Sequence, residues 1–161
     1  MKRKNAGFSI IELMIVIGII AIITTVSVLG LFNRRNKSDL DNVSRQMVAV
    51  LRRAQISSMN QDKGVSWGVH FENPPLSGTT TVPFYALFSG QNYSSTSTLD
   101  YYRLPSSVQF LSPVPGTSST LIFAQITGIP SFATTTIVGL KSVATNNSTS
   151  GVTITSVGSI Y

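Results

Sequence analysis

One carboxylate interrupts a long apolar run near the start of this chain. From Phe8 to Phe32 the only charged side chain is Glu12. An ionised acid in an apolar medium is expensive, so it is kept where it has a partner or a task. Its natural chemistry is ion pairing. Just upstream, Lys2, Arg3 and Lys4 precede the junction Gly7-Phe8. A glycine removes side-chain bulk and leaves the backbone free to lie extended, and the basic residues suit an anionic membrane face.

Little else in the chain suggests reactivity. There is no cysteine, so no thiol nucleophile, zinc–thiolate site or disulfide is available. The single histidine, His70, lies in an alternating segment that predicts an exposed sheet position, too isolated for a metal site. Beyond the leader and apolar run the acids are Asp39, Asp41, Asp62, Glu72 and Asp100, with no close pair backed by a histidine. No G-x-S-x-G and no glycine-rich phosphate loop occurs. No catalytic, cofactor or metal residues are assigned, and the chain does not read as an enzyme.

The element that must position Glu12 is a helix. Leu13 to Phe32 is a 20-residue apolar window; at about 1.5 Å per residue it covers about 30 Å, a bilayer core. Basic residues flank it on both sides, with Arg34, Arg35 and Lys37 following. Because a long polar domain comes after it, the N-terminus is placed inside. A secretory signal peptide fits poorly: the run is too long and no A-x-A-like site follows it. A plain uncleaved anchor explains the hydrophobicity but leaves Glu12 and the Gly7/Phe8 junction as coincidences.

Further along, Leu40, Val43, Met47, Val50, Leu51 and Ala54 recur at helical spacing and predict core packing, with Asp41, Arg45, Arg52 and Gln55 opposite. Ser38 or Asp39 is a candidate N-cap and Gly64 a candidate C-cap; alternatively one helix runs from Phe8 to Met59. From Val65 the period changes to two. Val65, Trp67, Val69 and Phe71 alternate with Ser66, Gly68, His70 and Glu72, a half-buried strand. Further strands are expected at 84–88, 101–104, 108–111, 121–126, 135–143 and 152–160, with a polar loop at 90–98 and a turn at 113–119. The fold class is α+β: a long N-terminal helix, membrane-spanning first and amphipathic second, packed on a C-terminal antiparallel sheet. The expected organisation is a leader at 1–7, a hydrophobic helix at 8–33, an amphipathic helix at 34–63 and a β-rich domain at 64–161.

Gly7-Phe8-Ser9-Ile10-Ile11-Glu12-Leu13 and the apolar residues after it resemble the class III leader of type IV pilins and type II secretion pseudopilins. The resemblance implies cleavage by a prepilin peptidase between Gly7 and Phe8, N-methylation of Phe8, and retention of the hydrophobic helix. It also implies that Glu12 pairs with the new N-terminal ammonium of a neighbouring subunit. Pairing two charges in a low-dielectric bundle recovers much of the several kcal/mol each would cost alone. Ser9 stands where the family often has Thr, and Leu29 where many major pilins have Pro. The C-terminal disulfide loop of many major pilins has no counterpart. Leu104-Pro105, Val108, Phe110, Phe123, Gly128-Ile129-Pro130 and Ser156-Val157-Gly158-Ser159-Ile160 follow the order of the H-type minor pseudopilin and its pilus counterpart.

The resemblance implies an inner (cytoplasmic) membrane, single-pass protein with its C-terminal domain outside, later built into a filament. Its partners would be prepilin peptidase, other pilin or pseudopilin subunits, an inner-membrane assembly platform and membrane lipid. The alternatives are a DNA- or surface-binding minor pilin at a filament tip and a plain membrane-anchored β domain. The net charge of +6 falls to +3 when Lys2, Arg3 and Lys4 leave, a thin footprint for nucleic acid. Arg45, Arg52, Arg53 and Lys63 are read as a solvated face.

Overall fold

The computed structural model describes residues 9–75, 82–132, 136–143 and 148–161, with the backbone alone at 26–36 and 136–137. Gly7, Phe8 and the leader at 1–7 lie outside the described residues. The chain divides into two compact units, residues 1–35 and 36–161. A single helix, α1 (Ile10–Met59), contributes to both.

In the first unit α1 opens with Leu13 N–H donating to the Ser9 carbonyl at 3.2 Å. Its side chains from Ile10 to Thr25 are exposed. The Thr24 and Thr25 hydroxyls bond back to the Ile20 and Ala21 carbonyls. That satisfies both groups within the helix, as an apolar setting demands. Among the described residues no helix is long and apolar enough to cross a membrane; the expected 8–33 segment includes Phe8 and side chains that are not described.

In the second unit the predicted stripe is the core. Leu40, Val43, Met47, Val50, Leu51 and Ala54 are all buried and pack with residues from the strands. Among the described residues seven strands follow: β1 (Trp67–Asn73), β2 (Phe84–Ser89), β3 (Thr98–Arg103), β4 (Val108–Ser112), β5 (Thr117–Phe123), β6 (Thr136–Ser142) and β7 (Thr149–Ile154). They form two antiparallel sheets, ordered β3-β2-β1-β5 and β4-β6-β7. The α+β class expected from the sequence is the class observed.

Several boundaries differ from the expectation. Ser38 and Asp39 do not cap a second helix, because α1 runs through them. Asp39 instead accepts a hydrogen bond from the Ser107 hydroxyl at 2.7 Å. Nor does Gly64 end α1. The helix stops at Met59, Gln61 turns left-handed at φ 55°, and a short 3-10 turn, Asp62–Gly64, leads into β1. Trp67 fixes this junction: its indole N–H donates to the Asp62 carbonyl at 3.0 Å, and its backbone N–H to the Ser58 hydroxyl at 3.3 Å. The expected turn at 113–119 is shorter, since β5 begins at Thr117. The strands expected at 121–126 and 152–160 end early, at Phe123 and Ile154, ahead of turns in which Ile126 and Gly158 take positive φ. After Gly158 the chain doubles back. Ile160 then bridges Ile154, and Tyr161 exchanges backbone bonds with Thr153.

The half-buried reading of β1 is corrected. The second face of β1 is covered too, by the Phe88 ring over Gly68 and Tyr93 over His70, so both are buried as well as Trp67, Val69 and Phe71. A Cβ on Gly68 would lie 2.8 Å from the Phe88 ring and closer still to the Leu121 carbonyl oxygen.

Candidate functional site

Glu12 sits in the first turn of α1. There its negative charge faces the unsatisfied N–H groups and the positive end of the helix dipole. Around it Ile10, Ile11, Leu13, Met14, Ile15, Val16 and Ile17 are all exposed. Among the described residues Glu12 makes no ion pair. The site is thus an acid on a helix end surrounded by apolar side chains that nothing within the described chain covers. An arrangement of this kind suits intermolecular packing, where one cation supplied by a partner would neutralise the acid. Gly7 and Phe8, whose peptide bond is the expected processing point, fall outside the described residues.

The other end of α1 carries groups that sequence reasoning missed. Helical spacing places Gln55 on a polar outer face, opposite the apolar stripe. Its side-chain amide in fact donates to two carbonyls, Gly128 at 3.0 Å and Gly158 at 2.8 Å. Both glycines have positive φ, and a Cβ on either would come within 2.8 Å of an α1 side chain, Met59 or Gln55. Ser58 is buried and donates to the Phe123 carbonyl at 2.6 Å. Helix end and loops are therefore held by side chain-to-backbone bonds. The signal available in the sequence was the pair of glycines in Gly128-Ile129-Pro130 and Val157-Gly158-Ser159, which mark turns without naming their partner.

His70 is the clearest correction. It is buried rather than exposed, at 6 %. Its Nδ1 lies 2.7 Å from the Thr120 hydroxyl and its Nε2 3.1 Å from a Glu72 carboxylate oxygen. Tyr93 stacks flat on the ring, with centroids 3.8 Å apart and planes 5° from parallel. These contacts consume the imidazole: both nitrogens have partners and one face is covered. Among the described residues no three histidine, cysteine, aspartate or glutamate side chains come together as a metal site. Tyr85 is also wrapped. Its hydroxyl is buried without a hydrogen-bond partner among the described residues, and burial, with Tyr102 beside it, pushes its ionisation well above the ordinary phenol range.

The helix cations have local partners too. Arg53 pairs with Asp100, Arg52 donates to the Ile160 carbonyl at 3.1 Å, and Lys63 lies over the Trp67 ring at 5.7 Å from its centroid. Arg52, Arg53 and Lys63 thus each have a contact within the protein.

Comparison with known families finds the prokaryotic N-terminal methylation motif over residues 2–28. It covers Gly7, Phe8 and Glu12 and supports the pilin and pseudopilin family. Such a leader implies processing by prepilin peptidase and assembly with other pilin subunits, and it points to a structural, non-enzymatic protein. It also suggests a membrane-anchored pilin or pseudopilus subunit. No curated protein and no solved structure matches the chain.

Proposed function

We propose that this chain is a structural subunit, a minor pilin or pseudopilin, of a type IV pilus-like filament or a type II secretion pseudopilus. In this reading prepilin peptidase cuts between Gly7 and Phe8, and Phe8 is N-methylated. The hydrophobic helix holds the subunit in the inner membrane until an assembly platform transfers it to the filament. Glu12 then meets the ammonium of a neighbour's Phe8 and sets how far the new subunit slides. The observation that carries the proposal is the methylation motif at residues 2–28 together with its setting: Glu12 in the first turn of a helix whose neighbouring side chains are exposed and apolar.

The sheet domain supports a structural role. The polar side chains of Gln55, Ser58 and His70 are spent on holding helix end, loops and strands. The test is intact-mass analysis of the protein taken from membranes with and without prepilin peptidase. The expected product begins at Phe8 and carries one added methyl group, and both changes vanish without the peptidase. A mature protein that keeps Lys2 to Gly7 would overturn the proposal in favour of a plain anchored domain.

A further inference from the structure

Three polar side chains meet on the face of β1 opposite Val69 and Phe71: Thr120, His70 and Glu72. His70 on β1 and Thr120 on β5 are directly paired. Next along β5, Ile122 turns its carbonyl away from β1 to accept the Ser131 N–H at 2.8 Å. Alternation turns the Thr120 backbone outward as well, so His70 and Thr120 form a non-hydrogen-bonded pair, the kind whose side chains approach most closely. The Thr120 hydroxyl lies 2.7 Å from His70 Nδ1, and a Glu72 carboxylate oxygen lies 3.1 Å from Nε2. A carboxylate only accepts hydrogen bonds. Glu72 therefore assigns the ring proton to Nε2, and Nδ1 is left to accept the proton of Thr120. The order hydroxyl, imidazole, carboxylate is that of a nucleophile, its base and the group that orients the base.

The hydroxyl is also the reachable member. Thr120 is exposed on β5, an edge strand, while His70 is buried beneath Tyr93. With its proton directed at the ring, the Thr120 oxygen keeps lone pairs for another partner. Ser118 is a built-in contrast: it is exposed on the same face of β5, opposite Glu72 instead of His70. Charge narrows the class of reactant. The Glu72 side chain, 34 % exposed, sets a negative charge near the hydroxyl and disfavours an anionic phosphoryl donor. The cation on this row of pairs, Arg103, is two strands away, opposite Phe84, with its guanidinium over the Tyr101 ring. A neutral acyl group meets no such repulsion.

We infer that Thr120 is an acyl-acceptor site, which takes an acyl group from a neutral activated ester. The Thr120 oxygen attacks the ester carbonyl carbon, and a new C–O bond forms. The bond from that carbon to the leaving oxygen breaks, and its electron pair departs with the leaving group. The hydroxyl proton passes to His70 Nδ1, and Glu72 holds the resulting imidazolium through Nε2. That proton is then handed to the leaving oxygen or to water. The products are one ester on Thr120 and one alcohol, with nothing oxidised or reduced. The outward-facing Thr120 N–H offers a donor to the oxyanion formed on the way. The site is a reactive acceptor on the sheet domain, compatible with a structural protein and independent of filament assembly.

The probe is p-nitrophenyl acetate, a neutral activated ester, given to the full chain in detergent, with acetyl groups located by peptide mapping. Thr120 is expected to be acetylated about 100-fold faster than Ser118, the low end of what a positioned base supplies. Thr120→Val should lose that acetyl group and Thr120→Ser should keep it; the residue is at the surface, so the core is untouched. Glu72→Gln frees the ring to carry its proton on either nitrogen. The rate at Thr120 should then fall about tenfold or more, and the nitrogen spectrum of the His70 ring should lose its Nε2–H signature. The sulfonated, anionic analogue of the same ester should react more slowly at Thr120. Equal rates at Thr120 and Ser118 in the folded parent would overturn the inference whatever the variants do. A Glu72→Gln protein with the altered ring spectrum and an unchanged rate would remove the base from it. A faster reaction with the anionic ester would overturn the neutral class.

Discussion

Gln55 on α1 donates its side-chain amide to the carbonyl of Gly158, 103 residues away, at 2.8 Å. The same nitrogen serves Gly128 at 3.0 Å. One side chain thus closes the helix end over two turns that the backbone alone would leave unsatisfied. Gln55→Ala is expected to cost about 1–3 kcal/mol, because two carbonyls lose their donor. Gln55→Glu should cost at least as much, since it sets a carboxylate against carbonyl oxygens. Chemical denaturation of the full chain in detergent measures both.

Gly68 is required by its neighbours rather than by its dihedral angles. An added Cβ would meet the Phe88 ring and the Leu121 carbonyl. Gly68→Ala should destabilise the sheet domain by about 1–3 kcal/mol or more, because backbone on one side cannot yield. A lowered thermal midpoint with unchanged leader cleavage is the expected pattern.

Tyr85 makes stability depend on alkaline pH. Its folded-state pKa lies above the unfolded value, so its contribution is complete below about pH 10 and is lost as pH rises beyond that. Tyr85→Phe removes a buried hydroxyl that has no partner among the described residues. The substitution should be neutral or stabilising by about 1 kcal/mol at neutral pH. It should also flatten the loss of stability above pH 10. Unfolding curves of both proteins across pH 7–11 test the sign.

Glu12→Ala and Glu12→Val address assembly alone. If the proposed processing and assembly hold, both should insert in the membrane and be cut after Gly7 to the same extent as the parent, yet enter filaments poorly. The comparison needs two assays on the same cells, the mass of the membrane form and the subunit content of sheared filaments. Wild-type incorporation would remove Glu12 from the mechanism.

The stripe from Leu40 to Ala54 was legible because helical spacing of apolar residues has one economical solution, burial against a layer. All six of its residues are core. Glu12 stood out for the opposite reason, as a charge where the pattern forbids one. His70 departs from the exposed position that alternation predicts because alternation assumes one wet face, and here that face is covered by aromatic rings. Its covering ring, Tyr93, comes from the 90–98 loop, whose polar composition gives no hint that an aromatic folds back onto the sheet. Gln55 was missed for a related reason. An amide on a helix face reads as solvated until the turns that need it are placed, and those lie more than 70 residues downstream. The strand ends at Phe123 and Ile154 precede positive-φ turns at Ile126 and Gly158, a backbone conformation that an apolar residue such as Ile126 does not announce.

The junction at Trp67 gives the molecule an internal optical gauge. It is the chain's one tryptophan, and its indole is tied to Asp62 where helix hands over to sheet, with Lys63 above the ring. Its emission colour will therefore follow the docking of that helix end without any attached dye. His70, the one imidazole, lies on the same strand under Tyr93. A proton spectrum of its ring will register the 90–98 loop separately. Two native signals on β1 can thus distinguish a subunit that has lost its loop from one that has lost its helix contact, during synthesis, storage or incorporation.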